Sequence, residues 1–149
     1  MAHPYDERTS FDLFLGAAAV AKFLDLDGNG TEDSGLYDQV REDADRVIDA
    51  RLAAKYSVPF GTVPALVKTI SNHVTAALLL SKRHPNSPDA EYYMGLANEL
   101  MDGLLNGKYQ LPGAALAAAD DGQIGLAFAP TTDPVFGLDD DDEDKTAEW

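Results

Sequence analysis

The sequence predicts an all-α protein, a compact bundle of about four helices followed by an extended C-terminal arm suited to adding a short strand to a neighbouring subunit. Three observations lead there. Four stretches before residue 112 repeat apolar residues at three-and-four spacing, the signature of a helix with one buried face. Short segments rich in glycine, proline or aspartate separate them. Beyond Leu111-Pro112-Gly113 the periodicity changes, giving a helical domain over 1–112 and an arm with an acidic tail over 113–149.

The first helix is expected from about Phe11 to Leu24, with Thr9 and Asp12 at capping-box spacing and Phe11, Phe14, Leu15, Val20, Phe23 and Leu24 as apolar anchors. An acidic loop ends it. The second begins at Glu32 or Leu36 and runs to Tyr56, burying Leu36, Val40, Ala44, Val47, Ile48 and Leu52. Its other faces are charged, and Arg41 with Asp45 and Glu42 with Arg46 sit four apart, each pair adding roughly 0.2–0.5 kcal/mol to the helix surface. Residues 57–64 hold two prolines and a glycine and form a connector, after which Thr62 caps a third helix starting near Pro64. That helix is apolar on more than one side, through Leu66, Val67, Ile70, Val74, Ala77 and Leu78 together with Ala76, Leu79 and Leu80, and so is expected at the centre. Lys82, Arg83 and His84 suit the negative end of its dipole, and Pro85 stops it. The fourth takes Ser87 as N-cap and Pro88 at its first position, with Gly107 as its stop.

In the arm, Ile124, Leu126 and Phe128 alternate with Gly125 and Ala127 over the length of one strand. A lone strand in a helical monomer needs an edge from another chain, so the arm either orders against a neighbour or stays disordered; Ile124, Leu126 and Phe128, together with Trp149, are the candidate oligomer or partner contacts.

The chain has 149 residues and a formal charge of -15. Residues 139–149 carry seven acids and one lysine, a charge of -6 that leaves -9 for the rest. Both parts repel phosphates, which argues against sequence-specific nucleic-acid contact. With no cysteine there are no disulfides, thiolate nucleophiles or zinc–cysteine sites. The N-terminus does not read as a signal peptide, and the longest apolar run, Val74 to Leu80, is too short to span a membrane and is interrupted by Thr75.

Catalytic patterns are missing: no phosphate-cradling P-loop, no His-Glu-x-x-His, no Gly-x-Ser-x-Gly. His3, His73 and His84 are far apart, and His73 falls near the apolar face of the third helix, where it reads as a core or interface histidine rather than a general base. Ser71 and His73, two apart on a helix, face different ways. Only Asp25-Leu-Asp-Gly-Asn-Gly-Thr-Glu-Asp33 has ordered ligand spacing. It matches the front of an EF-hand loop, with Asp25, Asp27, Asn29, Thr31 and Asp33 as candidate ligands and Gly30 at position six. Leu36 stands at position twelve, where a bidentate carboxylate normally closes the shell. The reading is a structural loop that caps turns and the next helix, or a weak calcium site; no resident cofactor is expected.

The order of features resembles the Mu-like tailed-phage head-tail connector family over roughly residues 10–112. The similarity lies in the N-terminal helix, the Asp25-Leu-Asp-Gly-Asn-Gly loop, and the segment Ala50-Arg-Leu-Ala-Ala-Lys-Tyr-Ser-Val-Pro-Phe-Gly-Thr-Val-Pro-Ala-Leu66. Gly107-Lys-Tyr also resembles the end of the family's last helix, whereas Asn29 stands where many relatives carry a third aspartate. The resemblance implies a non-enzymatic virion protein, an adaptor assembled in the bacterial cytoplasm as a dodecameric ring. It would meet the portal protein on one side and tail-completion or tail-terminator proteins on the other, with DNA passing through the channel. The alternative from the residues is a calcium-responsive helical protein-binding module.

Overall fold

The computed structural model describes residues 5–118, and these form an all-α bundle. Its helices are α1 (Arg8–Leu15), α2 (Ala17–Phe23), α3 (Leu36–Leu52), α4 (Ala65–Arg83) and α5 (Pro88–Leu105). The arm contacts expected at Ile124, Leu126, Phe128 and Trp149 lie outside the described residues.

The single first helix expected from the apolar pattern is two. Gly16 separates them at φ 90°, ψ 124°, a region that side chains bearing a Cβ avoid, while its N–H still donates to the Asp12 carbonyl at 2.8 Å. The Thr9–Asp12 capping box does not form either: Glu7 is the N-cap of α1, and Asp12 instead accepts from Arg8 Nε at 2.7 Å. Likewise Pro64 rather than Thr62 precedes α4, and neither Pro64 nor Ser87 makes a side-chain cap bond. Pro88 does open α5. The α3 helix ends at Leu52, short of Tyr56, because Tyr56 enters an antiparallel bridge with Leu116. Ser57 N–H donates to Ala115 O at 2.8 Å and Ala117 N–H to Lys55 O at 3.0 Å. Residues 113–118, read from sequence as the start of the arm, therefore return to the bundle.

As its doubly apolar pattern predicts, α4 is the central helix, packing against α5, α3, α1 and α2. One core cluster joins Ala44, Ile48 and Leu52 of α3, Val67, Ile70 and Val74 of α4, and Ala97, Met101 and Leu104 of α5. A second gathers Phe11, Val20 and Leu24 with Leu36 and Val40 of α3 and Ala76 and Leu79 of α4. Each large apolar side chain buried this way contributes roughly 1.5–3 kcal/mol. Two expected core residues differ: Val47 is 38% exposed and Phe14 36%. Val47 sits one residue before Ile48, just off the stripe that α4 covers.

Ahead of α1, Tyr5 is buried at 2% exposure and straps the N-terminus to the bundle. Its hydroxyl donates to Asp49 and accepts from the Phe60 N–H at 3.2 Å, its own N–H donates to Asp45 at 3.3 Å, and its ring packs on Phe60 at 5.6 Å. Burial first, then the hydrogen bond to Asp49, pushes the phenol's pKa up. At the other end, Lys55 Nζ donates to Leu104 O at 2.8 Å and places a cation on the C-terminus of α5.

Candidate functional site

Five candidate ligands share the loop between α2 and α3; oxygens of Asp25, Asp27, Asn29 and Asp33 are already turned onto the loop's own donors, and the Thr31 hydroxyl is itself one of those donors. Asp25 accepts from Asn29 N–H at 3.0 Å and Gly30 N–H at 2.9 Å. Asp27 accepts from Asn29 N–H at 3.1 Å and from its side-chain amide at 2.8 Å. Asn29 Oδ1 accepts from Thr31 N–H at 2.8 Å and from the Thr31 hydroxyl, and Asp33 accepts from Leu26 N–H at 2.9 Å. These are Asx turns, side chains standing in for backbone acceptors where no helix supplies them. At Asp25, desolvation works to raise the pKa, but hydrogen bonds from Gly30, Asp27, Asn29 and Gly28 outweigh it and hold the carboxyl below its ordinary range. Gly28 and Gly30 turn the chain at φ 74° and 86°.

Two arginines clamp this loop from outside. Arg8 of α1 grips Glu32 through two bonds of 2.6 and 2.9 Å, while its guanidinium lies 5.5 Å from the Tyr37 ring centre. The pair raises the pKa of Arg8 and lowers that of Glu32. From the last turn of α4, Arg83 donates to the Asp25 carbonyl at 2.8 Å and to that of Lys22, bringing positive charge to the C-terminal end of α2. Sequence reasoning assigned Arg83 to its own helix dipole; its true target is 58 residues away. No local spacing signals such a partner.

As a cation site the donor set is poorly matched. Among the described residues no three His, Cys, Asp or Glu side chains are placed to hold a metal. Leu36, at the closing position, is 8% exposed and committed to the second core cluster. Calcium at millimolar concentration is therefore expected to leave the melting temperature unchanged. A rise reversed by chelator would show that the loop holds the ion.

Elsewhere the chemistry-bearing groups have partners within the fold. His73 is half-buried; its Nδ1 donates to Thr69 O at 2.7 Å, and its ring meets Phe14 at 5.0 Å and Tyr93 at 6.1 Å. Ser71 is buried and bonds Asp45 at 3.4 Å, well away from any pairing with His73. A cleft of about 310 Å³ beside Tyr5 is lined by Asp6, Glu7, Ser10, Thr62, Val63 and Lys68, and contains no histidine. Burial raises the Asp6 pKa against hydrogen bonds from Ser10 and the Glu7 N–H.

Asp45 carries the clearest pH signal. Burial pushes its carboxyl up to about 6 from 3.8, and the nearby Asp49 adds to the rise, against the Tyr5 N–H, Arg41 and Ser71. The folded protein thus holds this proton more tightly than the unfolded chain. Stability from that difference is full below pH 3.8 and is lost as pH rises through about 6. With the group half-exposed, solvent screening limits the effect to about 1–2 kcal/mol. Asp45→Asn is expected to stabilise the protein at pH 7 by that amount and by much less at pH 4; urea titrations at the two pH values check it.

Five described helices packed without cysteine, and an EF-hand-like loop lacking its closing carboxylate, define a small all-α domain whose linking loop is built into the fold. Residues 5–97 match the family model described as Bacteriophage Mu, Gp36, and the chain belongs to that family, making it a Mu-like phage protein. No curated protein matches the sequence. No described helix is long and apolar enough to cross a membrane.

Proposed function

We propose that this protein is a structural head-tail adaptor of a tailed phage virion, one subunit of a dodecameric ring between the portal and the tail-completion or tail-terminator proteins. The observation that carries the reading is the match to the Mu Gp36 family across residues 5–97, which spans every helix through the first half of α5. A passive role is supported by the use of polar groups in the described domain, where the loop, strap and clamps serve the fold. Ring subunits need side contacts that differ on their two flanks, and Ile124, Leu126, Phe128 and Trp149 are the contacts assigned to the arm. The acidic chain suits a channel through which DNA slides without sticking. Assembly takes place in the host cytoplasm.

Light scattering of the purified protein with and without its portal tests this. The expected result is a ring-sized species or a portal complex. A monomer that never joins the portal overturns the reading. Leu126→Asp and Phe128→Asp should prevent ring formation while leaving the helical circular-dichroism signal intact.

A further inference from the structure

The geometry points to a protein-docking face across α1, α4 and α5, centred on Phe14, His73, Tyr92 and Tyr93, that receives a partner surface of apolar side chains rimmed by lysine or arginine. The four rings are contiguous. Phe14 lies 5.0 Å from His73 and 5.8 Å from Tyr93, His73 lies 6.1 Å from Tyr93, and Tyr93 lies 5.6 Å from Tyr92. Leu13, next to Phe14 in the chain, is 85% exposed and Tyr92 63%. Single exposed apolar residues are ordinary, but a joined aromatic group contributed by three helices has the composition of an interface centre.

Charge identifies the occupant. The α5 helix carries Asp89, Glu91, Glu99 and Asp102 and no lysine or arginine. Of these, only Asp102 is engaged in an ion pair among the described residues, with Arg51 at 2.5 Å. Asp89 and Glu99 are exposed and sit three before and seven after Tyr92, on the same helical stripe with half-buried Leu96 between them. An aromatic centre with an unpaired acidic rim suits a basic-rimmed apolar surface. A second copy would bring the same acidic rim against this one, and an anionic membrane or nucleic acid would be repelled. The face is defined independently of any ring-forming role of the arm.

The test uses the full chain, isotope-labelled for NMR, and as probe a short amphipathic helical peptide of leucine and lysine, with a leucine–glutamate peptide as control. Shifts are expected to concentrate at Leu13, Phe14, His73, Tyr92 and Tyr93. Leu13→Ser with Tyr92→Ser should weaken binding about tenfold or more. Val47→Ser, exposed on α3, should not change it. Because the substituted residues are exposed, folding is retained, and circular dichroism verifies this. Evenly spread shifts, equal loss in Val47→Ser, or equal affinity for the glutamate peptide would overturn the proposal. So would self-association in sedimentation that Tyr92→Ser abolishes, which would give the face to a second copy.

Discussion

Tyr5→Ala is expected to lower the unfolding free energy by about 3–5 kcal/mol, the range for removing a large side chain from a packed interior. The residue is 2% exposed, belongs to the main core cluster, and joins α3 to the 57–64 connector through one ring and one hydroxyl. Tyr5→Phe separates the two contributions. It keeps the ring on Phe60 but leaves Asp49 and the Phe60 N–H without their partner, at a cost of about 1–3 kcal/mol. Urea unfolding of both variants measures the difference. If Tyr5→Ala stayed within 1 kcal/mol of the parent, the strap would be a surface ornament rather than part of the core.

A second large effect is expected at Gly103, inside α5. A Cβ there would stand 2.5 Å from Cε2 of Tyr109, whose N–H donates to Gly103 O at 2.9 Å as the chain doubles back after Gly107. In an open helix interior, glycine to alanine gains about 1 kcal/mol. Here the ring must be displaced, and overpacking of this kind costs about 1–3 kcal/mol, so Gly103→Ala is expected to be destabilising. In a Tyr109→Ala background the obstacle is gone and the same substitution should become neutral or stabilising. This sign reversal in a double-mutant cycle is the decisive reading. Destabilisation of equal size in both backgrounds would place the cause elsewhere in α5.

The elements written in periodicity were legible. The stripes of α3, α4 and α5 mark those helices and the central place of α4, because a buried helix must repeat apolar residues at the helical period. Asp25 and Asn29 also behave as their spacing suggests, as turn-forming acceptors. Other features left no local trace. Gly16 interrupts an apolar pattern that reads continuously, since a lone glycine is compatible with a helix until tertiary packing demands φ 90°. Phe14 fits the helical stripe yet lies partly at the surface, because the turn at Gly16 redirects α2. Tyr5 to Asp49 spans 44 residues and Arg83 to Asp25 spans 58, and pairings at such range depend on which helices meet. The candidate ligands could be counted along the chain and Leu36 placed on the buried stripe of α3; that it shares a core cluster with Phe11, Val20 and Leu79 could not.

The position of Leu78 on α4 bears on how the bundle comes apart. It packs against both core clusters, so the two share a wall rather than meeting across a gap. Loss of α1 and α2 would strip one side of α4 and strain the other, leaving no stable half-molecule. Heating should therefore give a single calorimetric transition with matching calorimetric and van't Hoff enthalpies, and the amides of α4 should be among the last to exchange with solvent.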